Sequence, residues 1–240
     1  MKRVRRIEPS SFEVVSSSIG KRKKKEPSQP PRSDKQFVDI IHNLRSRNIF
    51  LAYTLEMQAL TGLRYSDCSC LKFTDFYRNE EFVDSFVIYQ QKIFYNKVTR
   101  LTKKGEKTEA EILRAAFEAS KVLIYTNERI KQIVEECKVF NGHREFLFAN
   151  SHHRSKGRPM DIRNADYHLK KVETDLKLNF NLGTHSFRKI FALKLLANNV
   201  TLEKIRDLLG QKSLTSTSKY LSTIDVELQA VVSELSYKAG

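Results

Sequence analysis

A mainly α-helical domain carrying one small β-sheet is the fold class this sequence predicts. Near the C-terminal end two runs place apolar residues at helical spacing: Ile190, Phe191, Leu193, Leu195 and Leu196, then Leu202, Ile205, Leu208 and Leu209. From Phe82 to Ile93, and again from Val122 to Tyr125, aromatic and β-branched residues cluster as they do in strands. The chain is 240 residues long and 40% hydrophobic, enough to bury a real core.

The charge balance points to the partner. A formal net charge of +15 favours a polyanion. Three cysteines in no framework spacing argue for a reducing cytoplasm, and no apolar run is long enough to span a membrane. The basic N-terminus lacks the apolar stretch of a secretory signal. Residues 1–32 hold ten basic side chains against three acidic ones, with Ser16–Ser18 and the Pro27, Pro30, Pro31 cluster between. Such a segment has little to bury and reads as a flexible basic arm, either a solvated tail or a strap that neutralises phosphates.

Taken in order, residues 34–60 read as two helices. Thr61-Gly62 then sets Arg64 at the start of the next one. Cys68 and Cys70 lie too close together for ordinary zinc spacing and are assigned to packing. After the first strands, Thr108 to Lys121 opens like a capping box and continues with helical composition. A strand end and helix follow over Tyr125–Cys137, then a short strand at Glu145–Phe148 and a polar basic loop at His152–Arg158. Asp161–Leu176 reads as a helix with Ile162, Tyr167 and Leu169 inward. Gly210 is placed to end the run that begins at Leu202. Ile224–Leu235 forms a last amphipathic helix.

The chemistry concentrates between Gly183 and Tyr220. His185 and Arg188 are three residues apart at a helix start, a spacing that puts both on one face. Tyr220 follows a Ser/Thr-rich segment, where packing has little use for it. A phenol can serve as a covalent nucleophile, and a guanidinium matches the oxygens of a phosphodiester in a bidentate fork. With Arg64 upstream, the set suits phosphoryl transfer.

Three stretches carry a family resemblance. Thr61-Gly-Leu-Arg-Tyr-Ser-Asp67, with Leu71 and Asp75, resembles the first arginine box of the tyrosine recombinases (the phage integrase family). GTHSFRK resembles their second box, and LLGQKSLTSTSKY the last one, ending at the nucleophilic tyrosine. The resemblance spans about Ser33 to Ala230 and implies a catalytic-domain fold with a small antiparallel sheet. It implies that Arg64 and Arg188 clamp the phosphate, that His185 assists proton movement, and that Tyr220 attacks to give a 3′-phosphotyrosyl link. Asp67 would orient its neighbours. Lys92, 28 residues after Arg64, stands where the family has its general acid, with Lys97, Lys103 and Lys104 close behind as alternatives. Gln211 occupies the place of the usual second histidine, 23 residues after Arg188; its amide can donate but cannot titrate, and Lys212 is adjacent.

The same resemblance assigns Arg163, Lys170, Lys171 and Lys212 to DNA contact, and it calls for no metal or other cofactor. Residues 33–240 would form the catalytic domain, interrupted by an insertion at about 96–120 and closed by a helix at about 224–236. The 32-residue arm is too short to hold the separate helical domain that many relatives place before this one. Expected partners are double-stranded DNA and further copies of the chain, joined as a tetramer on DNA through the C-terminal helix, with accessory DNA-bending proteins left open. The expected setting is the nucleoid of the cytoplasm. The leading function is site-specific recombination: integration and excision, resolution or inversion. A DNA-binding regulator with weak or absent catalysis, and a relaxing enzyme of topoisomerase type, are the alternatives.

Overall fold

The computed structural model describes residues 27–142 and 144–211. Tyr220, Lys212, most of the basic arm and the helix expected at 224–236 lie outside the described residues. The fold class is as predicted: ten α-helices and two small antiparallel sheets among the described residues.

Two helices open the domain, α1 (Asp34–Arg47) and α2 (Ile49–Thr61). Asn48 ends the first and starts the second, its side-chain oxygen accepting from the Leu51 N–H at 2.8 Å, as an N-cap does. Helix α2 is apolar around nearly its whole circumference, and a helix of that kind belongs in the interior. One side of it faces α1, α8 (Ile162–Asp175) and α9 (Thr184–Ala197) through Leu51 and Leu55. The other packs through Phe50, Tyr53 and Met57 on the sheet residues Phe86, Ile88, Val122 and Ile124 and on α7 (Glu128–Asn141). Removing α2 would separate the two cores.

Beyond the short helices α3 (Tyr65–Ser69) and α4 (Phe73–Phe76), strand β1 (Tyr77–Arg78) turns back on β2 (Glu81–Phe82). Strand β3 (Ser85–Tyr89) pairs antiparallel with β4 (Lys121–Tyr125), Ser85 opposite Tyr125 and Tyr89 opposite Lys121. The chain between them folds as a helical hairpin, α5 (Gln91–Lys104) and α6 (Glu109–Ser120). Thr108 and Glu111 close the expected capping box at the start of α6.

Three expectations need correction. The strand does not run on to Lys92 and Ile93, because helix α5 starts at Gln91, within the stretch expected to be strand. Phe94, Val98 and Leu101 fall at helical spacing; Phe94 and Leu101 are buried, and Phe94 packs on Phe117 of α6. Glu145–Phe148 contributes a single bridge, Phe146 to Lys72, instead of a strand. On α8 the inward residues are Ala165, Leu169 and Val172, while Ile162 and Tyr167 are 47% and 60% exposed. Tyr167 lies two positions from Ala165 and so projects from the far side of the helix.

The last described helix, α10 (Leu202–Leu208), packs Ile205 and Leu209 on α9. Gly210 ends it in the left-handed region, with the Gln211 N–H on the Arg206 carbonyl and the Gly210 N–H on that of Asp207, both at 2.9 Å. That is the paired closure expected of a glycine-terminated helix.

Candidate active site

Arg64 is the N-cap residue of α3, and the turn that delivers it depends on Gly62. Gly62 has φ 67°, and a Cβ there would lie 2.4 Å from the Phe191 ring of α9. Only glycine satisfies both the dihedral and the contact. The first arginine is thereby pressed close to the helix that holds the second.

Arg188 is fully buried. Its Nη1 donates to the Gly62 carbonyl at 2.5 Å and its Nη2 to the Leu209 carbonyl at 2.8 Å. One guanidinium thus ties the α2–α3 turn to the end of α10. Gln90, at the junction of β3 and α5, completes the frame. Its Oε1 accepts from Arg64 Nη1, and its Nε2 donates to the same Leu209 carbonyl at 3.1 Å. Gly210 leaves room for that amide, since a Cβ at Gly210 would meet Gln90 Nε2 at 2.9 Å.

Asp67 is buried one turn beyond Arg64, where its Oδ1 accepts from the Gln91 N–H at 3.0 Å. The carboxylate caps α5 from outside that helix, satisfying an N–H that Gln90's own side chain leaves open. Burial raises the Asp67 pKa, opposed by the Gln91 hydrogen bond and by the Arg64 and Arg188 charges. Lys92 follows in the first turn of α5 and is exposed. It therefore stands on a helix fastened to Asp67, not at a strand end.

His185 opens to solvent at the second position of α9. Its pKa is lowered by desolvation first, then by the positive charges of Arg188, Lys92, Arg64 and Lys189. The charges that act on His185 thus come from residues that the sequence spreads over more than half the chain. Loss of water and the neighbouring positive charges both favour the neutral imidazole. Gln211 is half-buried just beyond the Leu209 carbonyl, at the edge of the same frame.

A groove of about 460 Å³ leads away from His185, lined by Thr184, Gly183, Arg163, Tyr167, Lys170 and Ser28 among others. Arg163, Lys170 and Lys171 are all exposed, but they differ in freedom. Lys170 is engaged by Glu173 at 2.6 Å and Asn181 at 2.8 Å, while Lys171 Nζ lies 5.6 Å from the Tyr167 ring centroid. The described chain enters beside this groove. Ser28 accepts from Lys189 Nζ at 2.7 Å through its carbonyl, and the Gln29 N–H donates to Asn181 at 2.9 Å.

Sequence reasoning missed Gln90. Nothing but its position marks it, a lone polar residue where a strand passes into a helix, and such residues are common. Cys68 packs in the core, with its Sγ 3.2 Å from the Thr54 carbonyl.

The fold is that of a tyrosine recombinase catalytic domain. A family model described as the phage integrase family matches residues 33–225, and the chain belongs to that family. A tyrosine recombinase XerC of Pediococcus pentosaceus is 26% identical over 183 residues, 76% of this chain and 52% of the relative. The chain spans about half the length of the curated relatives it matches. Among solved structures, XerA recombinase superposes with a TM-score of 0.58 at 16% identity, covering 90% of this chain and 68% of that one. A lambda integrase (75–356) dimer bound to a COC′ core site gives 0.57 at 18% identity, covering 82% and 60%. At these identities the structures speak to the fold.

Proposed function

We propose that this chain is a site-specific DNA recombinase that cleaves and rejoins strands through a 3′-phosphotyrosyl intermediate. The observation that carries the reading is the convergence of Arg64, Arg188, His185 and Lys92, with both guanidiniums held by the Gln90 and Leu209 bonds. Preorganised cations of this kind stabilise charge as it develops on a transferring phosphoryl group, at no reorganisation cost in the transition state. Family membership and the lambda integrase complex with its core site support double-stranded DNA as the substrate.

In this mechanism Arg64 and Arg188 bind the non-bridging oxygens of the scissile phosphate. The Tyr220 oxygen attacks phosphorus in line and gives up its proton towards His185, whose surroundings favour the neutral form. The bond to the 5′ oxygen breaks, and Lys92 supplies the proton that leaves a free 5′ hydroxyl. A 5′ hydroxyl from another strand then attacks the phosphotyrosine, restoring the diester and the phenol. Energy is conserved in the ester, so no nucleotide is consumed. Gln211 donates to a phosphate oxygen, while Asp67 holds the helix that bears Lys92. Arg163 and Lys171 contact the duplex beside the groove, with Lys170 and Lys212 as further contacts. The basic arm reaches DNA from the groove edge where Ser28 is anchored, and copies assemble on DNA as a tetramer through Ile224–Leu235.

A candidate target duplex carrying a nick beside the scissile phosphate tests this directly. The nick lets the short fragment that bears the new 5′ hydroxyl diffuse away and so traps the covalent adduct. A covalent band in a denaturing gel, formed in chelator and absent for Tyr220→Phe, is expected. Site-specific binding with no adduct on a substrate that a related recombinase cleaves would overturn the catalytic reading in favour of a regulator.

A further inference from the structure

Helix α5 carries one acid-free cationic face that begins at the candidate active site. No Asp or Glu occurs between Asp84 and Glu106, whereas Lys92, Lys97, Arg100, Lys103 and Lys104 all fall there. At 100° per residue, Lys92, Asn96, Thr99, Arg100 and Lys103 project from one side, opposite the buried Phe94 and Leu101. All five are exposed. Every side chain in this stripe is a cation or a neutral hydrogen-bonding group.

Two further features set the face apart from an ordinary solvated surface. Among the described residues, no ion pair engages Lys92, Arg100 or Lys103, although the neighbouring α6 is rich in Glu. The helix is also rigidly backed. Phe117 of α6 packs on Phe94 at 4.8 Å and on Tyr89 of β3 at 5.2 Å between ring centroids, and Asp67 caps the first turn. The cations therefore hold a fixed line from the site, with Arg100 about 12 Å and Lys103 about 16 Å beyond Lys92 along the helix axis.

We propose that this face of α5 is a second DNA-contact surface, which tracks the phosphates flanking the scissile one. The inference rests on the recombinase reading above. A duplex presents a charge every ~1.7 Å of axis, so a line of this length meets several phosphates, and each cation that neutralises one releases a counterion. The helical hairpin between β3 and β4 then serves to extend the grip on DNA outward from the catalytic centre.

The test measures equilibrium binding of the whole chain to a fluorescent 30-base-pair duplex between 50 and 200 mM salt. Arg100→Gln/Lys103→Gln is compared with wild type and with Lys131→Gln/Lys138→Gln, an equal charge change on α7. The slope of log K against log salt is expected to fall by about 2 for the α5 variant, the amount two lost phosphate contacts would give, and by much less for the α7 variant. Equal slopes for the α5 variant and wild type, or equal falls for both variants, would overturn the proposal while leaving the recombinase reading intact. Failure of wild type to bind any duplex would sink both. Melting temperatures within a few degrees of wild type confirm that the substitutions leave the fold in place.

Discussion

Gln90 and Arg188 donate to one acceptor, the Leu209 carbonyl, at 3.1 and 2.8 Å. Because Gln90 also accepts from Arg64, a single backbone oxygen sets the relative position of both arginines. Gln90→Leu should leave the Arg188 bonds in place and release Arg64. The buried bonds lost correspond to about 1–3 kcal/mol of stability. Formation of the covalent adduct should slow by ten-fold or more, with duplex affinity changed far less. Single-turnover cleavage set beside equilibrium binding separates the two effects, and equal losses in both would contradict the positioning role.

Gly62 is the tightest point in the frame. Gly62→Ala imposes a Cβ on both the left-handed backbone and the Phe191 ring, and the strain and overpacking together should cost about 2–4 kcal/mol. Adding Phe191→Leu relieves the contact but not the dihedral, so the double variant should recover only part of that loss. Urea denaturation of the three proteins reads this out.

Asp67 separates a cap from a charge. Asp67→Asn keeps an oxygen for the Gln91 N–H, whereas Asp67→Ala loses the cap, worth about 1 kcal/mol. The raised Asp67 pKa means the folded state holds its proton more readily than the unfolded chain. That contribution favours folding at low pH and is lost as pH rises through the folded pKa. The neutral Asn variant should therefore equal or exceed wild-type stability at pH 7, while the Ala variant falls below it and loses cleavage through Lys92. Thermal melts together with the cleavage rate check both arms.

His185 gives a pH signature. Its pKa is lowered in the free protein, so between that depressed value and the unfolded value of about 6.5 the unfolded chain binds more protons. Stability should fall as pH drops through this window and be fully present above it. A bound phosphodiester supplies the opposite charge and raises the His185 pKa again, so duplex affinity should strengthen as pH falls from 7.5 to 5.5. His185→Gln should show a flatter dependence in both measurements. The difference between the two proteins removes the contribution of the other histidines.

Much of this was legible in the residues, for reasons that differ by element. The capping box at Thr108 and the Gly210 termination are local, each written within a few residues, and both form as expected. Ile162 and Tyr167 are apolar by type yet exposed, because burial on α8 depends on which side of the helix meets α1 and α9. The β-rich residues before Lys92 point to a strand there, whereas the structure has a helix. The change to helix at Gln91 is secured by Asp67, which is distant in sequence.

By itself the sequence determined the fold class, the spacing of Arg64, His185 and Arg188, and the cationic character of the chain, since periodicity, short-range spacing and charge survive in one dimension. Only the tertiary structure decided that Gln90 joins the arginines, that Asp67 caps the helix of Lys92, and that one face of α5 continues the positive line away from the site. Those relations are contacts between residues far apart in the chain. They exist because α2, buried on both sides, brings the β3–α5 junction, the Gly62 turn and the end of α10 to one place.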